Sequence, residues 1–155
     1  LRWDVATDVD LHLVRPGGRV GDYGSGAPGR SLGTDCSTFN RAPRWGDLED
    51  PTDDPRLDRD AVTAPGPEVA GLDRPEPGAY RLYAHYCDSR DVRVSTEARA
   101  ELRSRGRVVA TLGPARLEPG ALWAAAELRW DDATERWTVT PLMGPVESRP
   151  ELCRR

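Results

Sequence analysis

The 155-residue chain has no lysine, one methionine, one phenylalanine and two histidines, and no long apolar run. All 22 of its basic residues are arginine, the pattern expected of a GC-rich coding sequence rather than of a particular chemistry. Set against 26 acids they leave a net charge of −4, so there is no basic footprint to hold a phosphate backbone, and nucleic acid is not an expected partner. No stretch approaches the roughly 18 to 20 consecutive apolar residues that a membrane span needs. The chain begins at Leu1 rather than at methionine. A processed piece is therefore expected, with any signal peptide or lipid anchor upstream, and localisation has to be argued from other features.

Three cysteines are too few for a disulfide scaffold, and none of Cys36, Cys87 and Cys153 sits in a C-x-x-C pair. In an exported protein one bridge is expected, joining Cys87 to either Cys36 or Cys153. With only His12 and His85 available, a zinc site would need both strands in register and a contribution from Cys87 or Asp10. The ordinary role for such histidines is a cross-strand hydrogen bond. No G-x-S-x-G marks a serine nucleophile, and no D-x-[DN]-x-[DN]-G-x₅-E marks an EF-hand.

Helical periodicity is weak throughout, and short alternating segments separated by Pro and Gly take its place. "GAYRLYAHYC" (78 to 87) alternates Tyr80, Leu82, Ala84 and Tyr86 against polar neighbours. "DVRVSTEARAELRSRGRVVATLG" predicts a hairpin of about six residues per arm around "SRG". Its Ala-rich half would also suit a helix, but valine and threonine flank it and a second β-like run follows. "LWAAAELRW" and "RWTVTPL", joined by "DDATE", predict another hairpin. About seven or eight antiparallel strands without βαβ alternation imply an all-β, antiparallel β-sandwich of jelly-roll or Ig-like type, one domain over residues 1 to 155.

A long irregular, acidic excursion over about residues 17 to 68 interrupts this pattern. The first 68 residues hold 13 acids and 8 arginines. "DLEDPTDDPRLDRD" (47 to 60) contains seven carboxylates and is broken by Pro51 and Pro55, so it is expected to be loop. Phe39 and Trp45 are available to pin the excursion back on the sheet. Trp45, beside Gly46, is also the best aromatic candidate for stacking on a sugar ring, although a loop tryptophan more often plugs a core.

The polar residues that call for a reason are Asp8, Asp10 and His12 in "WDVATDVDLHLVRPGG". Val9, Leu11 and Leu13 fall on one face of that strand and these three on the other. Carboxylates two residues apart on one face lie roughly 6.5 to 7 Å apart at Cα, near enough to share a cation. The alternative is the solvent-facing side of an edge strand. Asp58 and Asp60 repeat the Asp-x-Asp spacing, and Glu68 follows a stiff "APGP" turn. Ca²⁺ takes six to eight oxygens, which such a loop can present, with Asp35, Asn40 and Asp47 as further donors nearby. The other reading is a solvated acidic loop.

Together, "WDVATDVDLHLVRPGG", "DCSTFNRAPRWGD", "DDPRLDRDAVTAPGPE" and "PEPGAYRLYAHYCD" resemble a family of bacterial envelope β-sandwich domains of unknown function. These look like distant relatives of the calcium-binding jelly-roll modules that follow secreted peptidases. The resemblance runs from Trp3 to Cys87 and, more loosely, through "LWAAAELRW". It implies an exported module, periplasmic, cell-surface or secreted, engaged with protein or glycan. It also implies that Asp8, Asp10, Asp58, Asp60 and Glu68 bind or buttress Ca²⁺, with Asp35, Asn40 and Asp54 as secondary candidates. In "DRDAVTAPGPE" alanine and threonine replace the family's Gly- and Asp-rich turn, which would remove one ligand. Two other roles follow from the residues themselves: a metal-dependent hydrolase with His12 as base, and carbohydrate binding through Trp45.

Overall fold

The computed structural model describes residues 1–25, 31–62, 66–87 and 94–153. In chain order its strands are β1 (Arg2–Trp3), β2 (Val9–Val14), β3 (Asp35–Cys36), β4 (Arg56–Arg59), β5 (Val69–Gly71), β6 (Gly78–Tyr86), β7 (Thr96–Ser104), β8 (Arg107–Leu117), β9 (Ala121–Asp131), β10 (Arg136–Pro141) and β11 (Glu147–Ser148). A 3₁₀ turn covers Pro150–Cys153. The protein is all-β and every strand pairing is antiparallel.

The larger sheet runs β10-β9-β6-β2-β3, with β11 also on β9, and the smaller runs β1-β7-β8. One core lies between them. It takes Val9, Leu11 and Leu13 from β2, Leu82 and Ala84 from β6, Trp123 and Leu128 from β9, and Ala98, Ala100, Leu112 and Leu117 from the smaller sheet. The alternation read from the sequence is what places them, because residues two apart on a pleated strand share a face.

Several expectations change in detail. The hairpin arms are nine and eleven residues long rather than about six. The ambiguous Ala-rich segment is strand β7, with Ala98 and Ala100 inward and Glu97 and Arg99 exposed in alternation with them. Residues 91–93 of the expected first arm lie outside the described residues. The segment 47 to 60 is not loop throughout, since Arg56–Arg59 forms β4 and pairs with β5 in a small separate sheet. Its N-terminal part is held by side-chain and backbone turns, with the Thr52 N–H donating to Asp50 Oδ1 and the Asp47 N–H donating to Asp53 Oδ2.

Strand β2 is not an edge. It lies between β6 and β3, and all six of its residues are buried. The register sets Asp10 opposite His85 and His12 opposite Tyr83 on the face away from the core. Cys87 pairs with Cys153 in a disulfide, while Cys36 is a free, buried thiol. That choice between the two possible bridges fastens the end of β6 to the 3₁₀ turn.

Candidate metal centre

The outer face of β2 and the loop that precedes β5 meet at a group of carboxylates. Asp8 stands just before β2 and Asp10 within it, while Glu68 comes from the loop after the small sheet's first strand. One oxygen from each of Asp8, Asp10 and Glu68 lies within 4.8 Å of the others. Glu68 is fully buried: Oε2 accepts from the Leu11 N–H at 2.6 Å and Oε1 from the Ala61 N–H at 3.4 Å. Its own N–H donates to the Leu1 carbonyl at 3.0 Å. The side chain ties the loop to β2 and closes it on itself at Ala61, while the backbone ties it to Leu1 beside β1. Gly66 makes the approach possible, because its φ is +38° and a Cβ there would lie 3.1 Å from Arg2 Cα and 3.3 Å from the Trp3 ring.

Asp60 completes the acidic wall. Its Oδ2 accepts from Thr38 Oγ1 at 3.0 Å and lies 3.9 Å from the half-exposed Arg41 guanidinium, while its Oδ1 is buried without a hydrogen-bond partner among the described residues. Burial pushes Asp10 up to about 9, and repulsion from Asp8, Glu68, Asp60 and Asp35 adds to it. Burial likewise pushes Glu68 up to about 8, against two backbone N–H bonds that favour its charged form. Buried carboxylates crowded in this way need either protons or a cation. The donor set fits a hard cation: it is all oxygen, and two oxygens on one Ca²⁺ at 2.3–2.6 Å stand at most about 5 Å apart. The span of the three carboxylates falls within that limit.

The remaining expected ligands are elsewhere. Asp58 is exposed and pairs with Arg56, which also binds Asp73, so it does not join Asp60. Asp54 Oδ1 accepts the Trp45 N–H at 2.5 Å and serves that loop. Asp35 is fully buried and holds His12, with Nδ1 donating to Asp35 Oδ2 at 2.8 Å. The same oxygen accepts the Gly21 N–H at 2.7 Å, and Asn40 Nδ2 donates to the Asp35 backbone carbonyl at 3.0 Å. Asp35 and Asn40 therefore orient a histidine.

Trp45 is not a surface aromatic. It is 1% exposed, its Nε1 donates to the Gly33 carbonyl at 3.0 Å, and its ring lies 6.1 Å from that of Tyr80. It is a plug over the core, and no face of the indole is open to a sugar ring. Sequence reasoning missed the pairing of Asp35 with His12, although both residues were singled out. A separation of 23 positions across an irregular excursion carries no periodic signal for it. It also missed that His85 lies beside both sulfurs of the disulfide, with Nδ1 at 3.2 Å from Cys87 Sγ and 3.6 Å from Cys153 Sγ.

Comparison with protein-family models, curated proteins and solved structures finds no match for the chain. Among the described residues no helix is long and apolar enough to cross a membrane.

Proposed function

We propose that this protein is a non-catalytic β-sandwich binding module, exported to the bacterial envelope or beyond, in which Ca²⁺ pins the acidic loop to the outer face of β2. The observation that carries this reading is the convergence of Asp8, Asp10 and Glu68 within 4.8 Å, two of them buried. Asp60 stands at its edge with one buried oxygen unpartnered among the described residues. The Cys87–Cys153 bridge supports export, because disulfides persist in oxidising compartments. With Trp45 buried, glycan stacking loses its carrier, and protein interaction at the cell surface is the role we propose for the ordered loop.

The catalytic alternative gave His12 the part of a general base. His12 and Asp35 make the hydrogen bond that such a base would use, yet both side chains are fully buried. A base has to reach the proton it abstracts, directly or through one water. Binding is accordingly favoured over hydrolysis.

Calorimetry tests the reading. The expected result is one Ca²⁺ bound per chain, within the range of about 10⁻⁴ to 10⁻³ M typical of extracellular modules. The heat should vanish in Glu68→Gln, and the melting temperature should fall in chelator. Absence of heat together with a melting temperature indifferent to chelator would sink the proposal.

A further inference from the structure

On the same outer face, a short distance from the carboxylates, lies a group with different chemistry. One nitrogen of His85 and the sulfurs of Cys87 and Cys153 all lie within 4.8 Å of one another. His85 is fully buried, and its ring centre is 5.9 Å from that of His12. His12 is fully buried too, with Nδ1 engaged by Asp35 on the β3 side. Its Nε2 has no hydrogen-bond partner among the described residues. The two nitrogens of an imidazole point from opposite sides of the ring, so Nε2 is turned away from β3. A histidine whose one nitrogen is fixed by a carboxylate and whose other is left over has the arrangement that metal-ligating histidines adopt.

We propose that His85, Cys87 and Cys153, with His12 Nε2 as fourth ligand, form a second metal site, for a thiophilic ion such as Zn²⁺, that becomes available when the disulfide is reduced. Cys₂His₂ is an established structural zinc set. Two imidazoles on one tetrahedral ion at about 2.0–2.1 Å place their ring centres about 5.2 Å apart, so the histidine pair at 5.9 Å closes by less than about 1 Å when the ion enters. Two thiolates at about 2.3 Å stand about 3.8 Å apart, so reduction must let the sulfurs separate before the ion enters.

The reductant is a dithiol. Cys153 is the more exposed partner, so a reductant thiolate bonds to its sulfur, and the S–S electron pair leaves on Cys87, which takes up a proton. The second reductant thiol then displaces the Cys153 thiolate, which is protonated in turn, and departs as a cyclic disulfide. Two electrons have passed to the protein. Metal binding afterwards releases the two thiol protons. The oxidised protein thus carries a covalent clamp between β6 and the 3₁₀ turn, and the reduced protein carries a metal clamp in the same place.

The test uses the full chain with Co²⁺ as the spectroscopic probe, under anaerobic conditions after reduction and removal of reductant. Reduced wild type should bind one Co²⁺ with a thiolate-to-cobalt charge-transfer band and tetrahedral d–d bands, and oxidised wild type should show neither. Cys153→Ser should abolish the band, and Cys36→Ala should keep it. His12→Ala should retain charge transfer with altered d–d bands, and Asp35→Asn should weaken affinity about 10- to 100-fold. If the reduced protein loosens, the metal should restore its melting transition. Failure to produce either band or transition in reduced wild type would overturn the proposal, as would a band that survives Cys153→Ser. A His12→Ala spectrum identical to wild type would remove His12 from the site. Glu68→Gln, which should abolish calcium binding, is expected to leave the cobalt spectrum unchanged, so the two sites fail separately.

Discussion

The two faces of β2 are equally buried and chemically opposite. Toward the core, Val9, Leu11 and Leu13 are 0–9% exposed; away from it, Asp10 and His12 are 2% and 0% exposed. The apolar face needs only neighbours, since removing hydrocarbon from water is favourable at about 25 cal/mol per Å² wherever the contact forms. The polar face needs partners of stated kind. His12 has Asp35, Glu68 has two backbone N–H groups, and Asp10 is surrounded by acids. The contrast teaches that burial needs only hydrocarbon neighbours on one face and specific hydrogen-bond or charge partners on the other.

Substitutions should separate the two. The largest effect is expected of Leu11→Ala, which should cost about 2–5 kcal/mol by urea unfolding, equally in chelator and in calcium. A cost that changed with calcium would couple the faces. Glu68→Ala comes next: it strands the Leu11 and Ala61 N–H groups, should cost about 1–3 kcal/mol in chelator, and should erase any stabilisation by calcium.

The third effect is a pH dependence. Asp10 and Glu68 have folded-state values raised to about 9 and about 8, so between their unfolded values near 4 and these limits the folded chain binds more protons than the unfolded chain. Cation-free stability should therefore be greatest below about pH 4 as far as these two groups contribute, and should fall as pH rises toward 9. Stabilisation by calcium should grow over the same interval as the ion replaces the protons. Melting curves at several pH values check both signs, and Asp10→Asn should flatten the cation-free slope. The smallest effect is that of Asp58→Ala, at most about 1 kcal/mol, with the calcium response intact because its pair with Arg56 is exposed.

That last contrast shows how far the sequence could be read. Alternation identified β2, β6, β9 and β10 of the larger sheet and the two faces of β2, because a period of two survives any loop between strands; the two-residue strands β3 and β11 are too short to carry it. It also picked Asp8 and Asp10, while Glu68 was singled out by the stiff turn before it. It failed on the second Asp-x-Asp pair, since equal spacing implies a shared face only within a strand. β4 ends at Arg59 and is irregular between Leu57 and Arg59, so Asp60 turns to Thr38 while Asp58 stays with Arg56. Trp45 was legible both as a plug and as a surface aromatic, and the choice between them was not, because its burial depends on Gly33 and Tyr80, which are distant in the chain. The pairings of His12 with Asp35 and of Cys87 with Cys153 are tertiary facts of the same sort.

The central claim is that a cation belongs between Asp8, Asp10 and Glu68. The most direct measurement is anomalous scattering from crystals of the full chain grown with Tb³⁺ in place of Ca²⁺. One strong peak about 2.3–2.6 Å from oxygens of all three side chains is expected. A map with no peak there, or with the ion held only by exposed acids such as Asp58 and Asp73, would contradict it.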